Sequence, residues 1–297
     1  MYNLRYHIVS IVAVFLALAL GLVLGGLIGG EGPSALQTGL ANDILRSNSE
    51  TRAQSAQVRD ENKRLTAFSN DTLGPLIQGR LNGRTILVIG AQDGASKHAV
   101  DLVETAGGAA VIAELDVTQY QADDQNLKSV TLASELKQRY KVDDDLSALA
   151  AGLAAEWAAP GAANTTGTQG VAVPVTHPVT AALQADGILK LSGDASSSMK
   201  EVDGVINVAL APKGADPDSF ALTVSQAFKE KGTAVIAAQG VKDTNKLGSV
   251  AAERGLCATN LFDSPIGDWT VVAVMGGAEQ ATYGTLDGAA QIYPSIK

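Results

Sequence analysis

Residues 83–115, GRTILVIGAQDGASKHAVDLVETAGGAAVIAEL, decide the fold. Asn82-Gly83 is a turn signal, and Thr85 to Gly90 behind it is a β-branched and aliphatic run without polar alternation, the pattern of a strand buried on both faces. Ala95 to Thr105 carries helical spacing, Gly107-Gly108 stops it, and Ala109 to Leu115 supplies a second apolar run. Strand, helix and strand in that order make a βαβ unit, whose strands lie parallel.

Toward the C-terminus the alternation continues. Helical patterns cover Leu127 to Tyr140 and Asp145 to Trp157, and Pro160 to Gly170, PGAANTTGTQG, has loop composition. Beyond it, strand-like runs at Gly204–Leu210, Thr233–Ala238 and Thr270–Met275 alternate with helical stretches at Asp218–Lys229 and Leu247–Arg254. The expected architecture over residues 80–297 is an extracytoplasmic α/β domain, its mostly parallel sheet flanked by helices, with a candidate subdivision at the loop 158–170.

Toward the N-terminus, Ile8 to Ile28 contains no charged residue, and 21 residues at about 1.5 Å each match a hydrocarbon core of roughly 30 Å. The reading is a single N-terminal transmembrane helix over 8–28, with 1–7 as a cytoplasmic lead. The apolar run exceeds that of a cleaved signal peptide. Arg5 before it and Glu31 after it orient the N-terminus to the cytoplasm, giving a single-pass cell-membrane protein. Ala13, Ala17, Gly21, Gly25 and Gly29 recur every fourth position, a helix-pairing groove of the small-xxx-small kind.

After the Gly32-Pro33 break, Ser34 caps a polar helix expected over 34–73 and closed by Gly74-Pro75. Ile44, Thr51, Val58, Leu65 and Thr72 fall in heptad position d, and Ala41, Asn48, Ser55, Asn62 and Ser69 in position a. The expected element is a coiled-coil stalk whose interface comprises Ile44, Asn48, Thr51, Val58, Asn62 and Leu65, Asn48 and Asn62 specifying register. Its five basic and five acidic residues leave it neutral, unlike a lipid-binding basic arm.

Composition narrows the function. A formal charge of -9 offers no footprint for phosphate backbones, so no nucleic-acid partner is expected. Aromatics at 4% are too few for the girdles of a transmembrane barrel. A lone Cys257 forms neither an intramolecular disulfide nor a multi-thiolate metal site. The turn Gly90-Ala-Gln-Asp-Gly94 lacks the G-x-G-x-x-G spacing of a dinucleotide site. Asp143-Asp144-Asp145 read as helix-opening acids rather than an oxygen cage. His7, His98 and His177 are scattered, with no metal-ligand spacing and no G-x-S-x-G elbow for a serine nucleophile. Gly276-Gly277 read as a compact turn after a strand. The chain is therefore expected to be non-enzymatic, with no catalytic, cofactor-binding or metal-binding residues.

Residues 5–25, RYHIVSIVAVFLALALGLVLG, resemble the start of the actinobacterial MctB family, labelled copper transport outer membrane proteins. The Gly83-Arg84-Thr85 step before the first strand and the closing Tyr283-Gly284-Thr285 with Gly288-Ala289 are similar to that family as well. Within it the pattern looks like the SteB type, which implies regulation of cell-wall hydrolysis and daughter-cell separation. The likeness further implies a SteA-like protein partner and a cell-wall hydrolase, with pairing to a second copy of the chain left open. The family label implies the alternative, a component of copper transport or efflux.

Overall fold

The computed structural model describes residues 4–29, 33–91, 93–118, 120, 124, 126–158, 177–193, 201–208, 220–243 and 246–295, with side-chain surroundings in the two N-terminal helices given for 11–25 and from 45 onward. The chain divides into two compact units, Met1–Leu65 and Thr66–Lys297.

The first unit holds helix α1 (Leu4–Gly29) and most of α2 (Pro33–Ile77). Among the described residues no helix is long and apolar enough to cross a membrane, which corrects the reading of 8–28 as a single transmembrane helix. Helix α1 runs over 26 residues, and its side-chain surroundings are described for 11–25. The flanks of the predicted span, 8–10 and 26–28, lie outside the fully described residues.

Helix α2 is continuous over 45 residues and passes through Pro75 instead of closing at Gly74-Pro75. Proline removes one helical hydrogen bond. The backbone nevertheless bonds onward from Gln78 N to Gly74 O at 3.1 Å, because Ile77 and Leu81 just beyond are fully buried and tertiary packing outweighs local propensity. Within the first unit α2 keeps Leu45, Val58 and Leu65 exposed and carries the i,i+4 ion pairs Arg46–Glu50 and Asp60–Arg64, both 2.9 Å.

The second unit is a three-layer α/β fold. Among the described residues its seven strands are β1 (Thr85–Ile89), β2 (Ala109–Leu115), β3 (Leu189–Ser192), β4 (Gly204–Asn207), β5 (Ala234–Gly240), β6 (Cys257–Phe262) and β7 (Thr282–Tyr283), in the order β3-β2-β1-β4-β5-β6-β7. All neighbours pair in parallel except β2 with β3. The expected mostly parallel α/β sheet is present, and it takes strands from both sides of 159–176, the stretch that includes the sequence-predicted loop and lies outside the described residues.

Alternation along β1 builds two cores. Ile86 and Val88 face α3 (Gly94–Thr105) and α9 (Pro265–Met275). Leu87 and Ile89 belong to the core under α4 (Lys128–Tyr140), α5 (Asp145–Trp157), α6 (Pro178–Ala185), α7 (Phe220–Glu230) and α8 (Leu247–Glu253). The steps from β1 to β2 and from β4 through β6 run to opposite edges over opposite faces, so they share one hand. The step from β6 through α9 to β7 runs over the face of α3 and has the opposite hand, an uncommon arrangement for parallel strands.

Residues 270–275, TVVAVM, are the second half of α9 and not a strand. The β-branched composition is that of a strand, but every residue from Gly267 to Met275 is buried, and a helix buried on all sides loses its polar face. The start signal was Ser264-Pro265: Ser264 caps the helix by accepting from Gly267 N, and proline occupies its first turn. Gly276 is accordingly a helix cap, and strand β6 precedes the helix where none was expected.

Candidate functional site

Parallel α/β sheets present their loops at the carboxyl ends of the strands, where ligands bind in this architecture. Three such loops meet here around a cavity of about 450 Å³ lined by Asp93, His98, Lys242, Asp243, Phe262 and Asp263, with Gly94, Ala95 and Gly240.

Each loop is shaped by local sequence. The exit of β1 packs so closely that a Cβ on Gly90 would stand 2.9 Å from Val208 Cγ2, so the glycine lets β1, β4 and α3 converge. Asp93 then caps α3, its Oδ1 accepting from Ser96 N at 3.0 Å. After β5, Asp243 Oδ2 accepts from Gly240 N at 2.9 Å and closes a turn that leaves Lys242 exposed. After β6, Asp263 adopts φ 64°, the left-handed region that aspartate tolerates better than most residues, and reverses the chain into α9. Gly267 in the first turn of α9 is required, since a Cβ there would run into the Leu261 carbonyl.

His98 on α3 and Asp268 on α9 meet beside the cavity, Nε2 to Oδ2 at 2.9 Å. Asp268 is buried and also accepts from Asp263 N through Oδ1 at 3.2 Å, so both carboxylate oxygens are engaged. The His98 ring lies 5.0 Å from that of Phe262, tilted by 60°. The hydrogen bond to Asp268 holds the His98 pKa above its ordinary 6.5; burial works the other way, and the charges of Asp268, Asp263 and Asp101 reinforce the rise. The arrangement fixes an imidazole of set orientation at the edge of a polar cleft.

His98 was expected on a helix face and is there, but its partner was not legible, because the start of α9, where Asp268 lies, was given no helix and the residues just after it were read as a strand. His177 stands at the N-cap position of α6, 3.9 Å from Glu156 Oε2. Glu156 accepts from Val179 N at 2.6 Å and from Thr180 N at 3.0 Å, so this cluster caps a helix. Asp144 caps α5 by accepting from Ser147 N, and Asp145 accepts from Tyr120 and pairs with Lys137, which holds its carboxyl below the usual range. Cys257 is buried in β6, and burial pushes its thiol up to about 12. Among the described residues no group of three or more His, Cys, Asp or Glu is placed to hold a metal ion.

The sequence-predicted pairing residues fall on two helices. Ala17, Gly21 and Gly25 line a shallow groove on α1 with Val14, Leu18 and Leu22, and a Cβ on Gly21 or Gly25 would meet nothing. Ala13 is exposed on the same helix. Asn48, Thr51, Val58, Asn62 and Leu65 are exposed on α2, where Thr51 Oγ1 donates back to Ser47 O at 2.7 Å. The side-chain surroundings of Gly29 and Ile44 lie outside the described residues. Phe68, equally exposed on α2, was not among the expected residues because it falls outside heptad positions a and d.

No curated protein and no solved structure matches the chain. A family match nevertheless runs from residue 1 to residue 294, through both helices and the whole sheet with its cleft: the chain belongs to the MctB family, described as copper transport outer membrane proteins.

Proposed function

We propose that the chain is a non-enzymatic envelope protein that takes a protein partner along α2 and thereby regulates cell-wall hydrolysis and daughter-cell separation. One observation carries the reading: Val58 and Leu65, one heptad apart on a long polar helix, stand 55% and 57% exposed. A long helix of this polarity gains most of its stability from packing against something else. The SteB-like pattern supports a SteA-like protein as the occupant, with a wall hydrolase acting downstream of the pair.

The family description favours a second reading, a component of copper transport. Soft thiolate is the ligand that best selects cuprous ion. The chain's cysteine is buried in a strand with its thiol pushed up to about 12, so this reading requires other ligands.

Replacing Val58 and Leu65 together with Asp separates the two. Each charge buried without a partner in a helix interface costs several kcal/mol after relaxation. The expected outcome is loss of the SteA-like protein on co-purification from envelopes and chained, unseparated cells, with copper tolerance unchanged. A variant that keeps its partner and separates normally while copper tolerance falls would overturn the regulatory reading.

A further inference from the structure

Three polar groups around the cleft are left without partners among the described residues. The carboxylate of Asp263 accepts no hydrogen bond; the residue engages Asp268 only through its backbone N–H. The Lys242 ammonium makes no ion pair, although it lines the same cavity as Asp263. His98 is held through Nε2, which leaves Nδ1 without a bond and the ring fixed by Asp268 and Phe262. Asp263 and Lys242, of opposite charge, thus line one cavity without pairing with one another.

The rest of the lining narrows what can match them. Asp93 and Asp243 are committed in part to the backbone amides of Ser96 and Gly240, and their charge disfavours a simple anion. A simple cation would answer Asp263 but leave Lys242 and the second ring nitrogen of His98, Nδ1, unmatched. Ala95 and Phe262 supply the apolar part of the wall. The cavity volume of about 450 Å³ lies within the roughly 300–1,000 Å³ of small-molecule sites.

We infer that the cleft at the carboxyl ends of β1, β5 and β6 binds a small zwitterion, an α-amino acid with a short apolar side chain. Its ammonium meets Asp263, its carboxylate meets Lys242 and His98 Nδ1, and its side chain lies toward Ala95 and Phe262. The inference does not depend on the partner reading of α2.

Saturation-transfer NMR on the full-length chain tests it with three probes: L-alanine, L-alaninamide, which keeps only the ammonium, and N-acetyl-L-alanine, which keeps only the carboxylate. Alanine should give a saturable signal, and each single-charge probe should bind roughly tenfold weaker or worse, the loss of one charge-assisted contact. Asp263→Asn should weaken alanine about tenfold while leaving N-acetylalanine unchanged, and Lys242→Met should weaken alanine while leaving alaninamide unchanged. Asparagine tolerates the left-handed backbone at 263, so an unchanged Tm is expected to confirm that the fold survives. No saturable alanine signal, no preference over the two single-charge probes, or indifference to both substitutions would each overturn the assignment.

Discussion

Leu65 and Leu81 are separated by 16 positions and have opposite fates: Leu65 is 57% exposed on α2, whereas Leu81 is 0% exposed beneath the sheet with Ile77 and α9. The two leucines have the same intrinsic hydrophobicity. What differs is whether the fold supplies a surface for them to cover, and that decides whether a residue contributes to stability or remains available for binding.

The comparison is broken most forcefully at its buried end. Leu81→Ala should destabilise the second unit by about 2–5 kcal/mol, the range for removing a buried leucine side chain, measured by urea unfolding. A loss under about 1 kcal/mol would mean that the turn after α2 is no more part of the core than Leu65 is.

His98 provides an intermediate case. Its pKa is raised in the folded protein, so the stabilising contribution of the pair with Asp268 is fully present below the unfolded value of 6.5 and is lost as pH rises through the raised folded value. Unfolding free energy should therefore decline across that window in the wild type and lose this decline in His98→Ala. An NMR titration of the His98 ring that gives a pKa at or below 6.5 would refute the assignment.

At the exposed end, replacing Val58 and Leu65 with Asp should leave unfolding of the second unit within about 0.5 kcal/mol of wild type, because surface substitutions away from packed features seldom exceed that. A larger change would place the 58–65 stretch of α2 in the folding core. Smallest of all, Arg46→Ala removes one exposed i,i+4 pair and should cost only about 0.3–0.5 kcal/mol, read as a slight loss of helicity by circular dichroism.

Much of the fold could be read from the chain because local signals and tertiary packing agreed. Strand β2 occupies Ala109–Leu115 and helix α5 Asp145–Trp157, both as expected, since apolar period, caps and glycine stops coincide there. Elsewhere packing overruled local preference: Pro75 remained helical, and Thr270–Met275 coiled into a helix because burial on every side erased its period. The short edge strand β3 has too few residues to show alternation. The cleft was hidden for a related reason. Its residues come from three loops far apart in the chain, and the His98–Asp268 contact spans 170 positions, so no local spacing announces it.

The central seam of the sheet joins β1 to β4, and the bond from Thr85 N to Asp203 beside it crosses 118 positions. While a nascent chain emerges, β1 and β2 can pair early, but the other edge of β1 stays open until β4 is available. Closing a loop of that length precedes the reward from the contacts it makes, which favours slow, late assembly of the sheet. An unpaired edge carrying Ile86, Leu87, Val88 and Ile89 is a template for association with other chains. The order of strands thus sets a kinetic hazard during synthesis that the finished fold no longer displays.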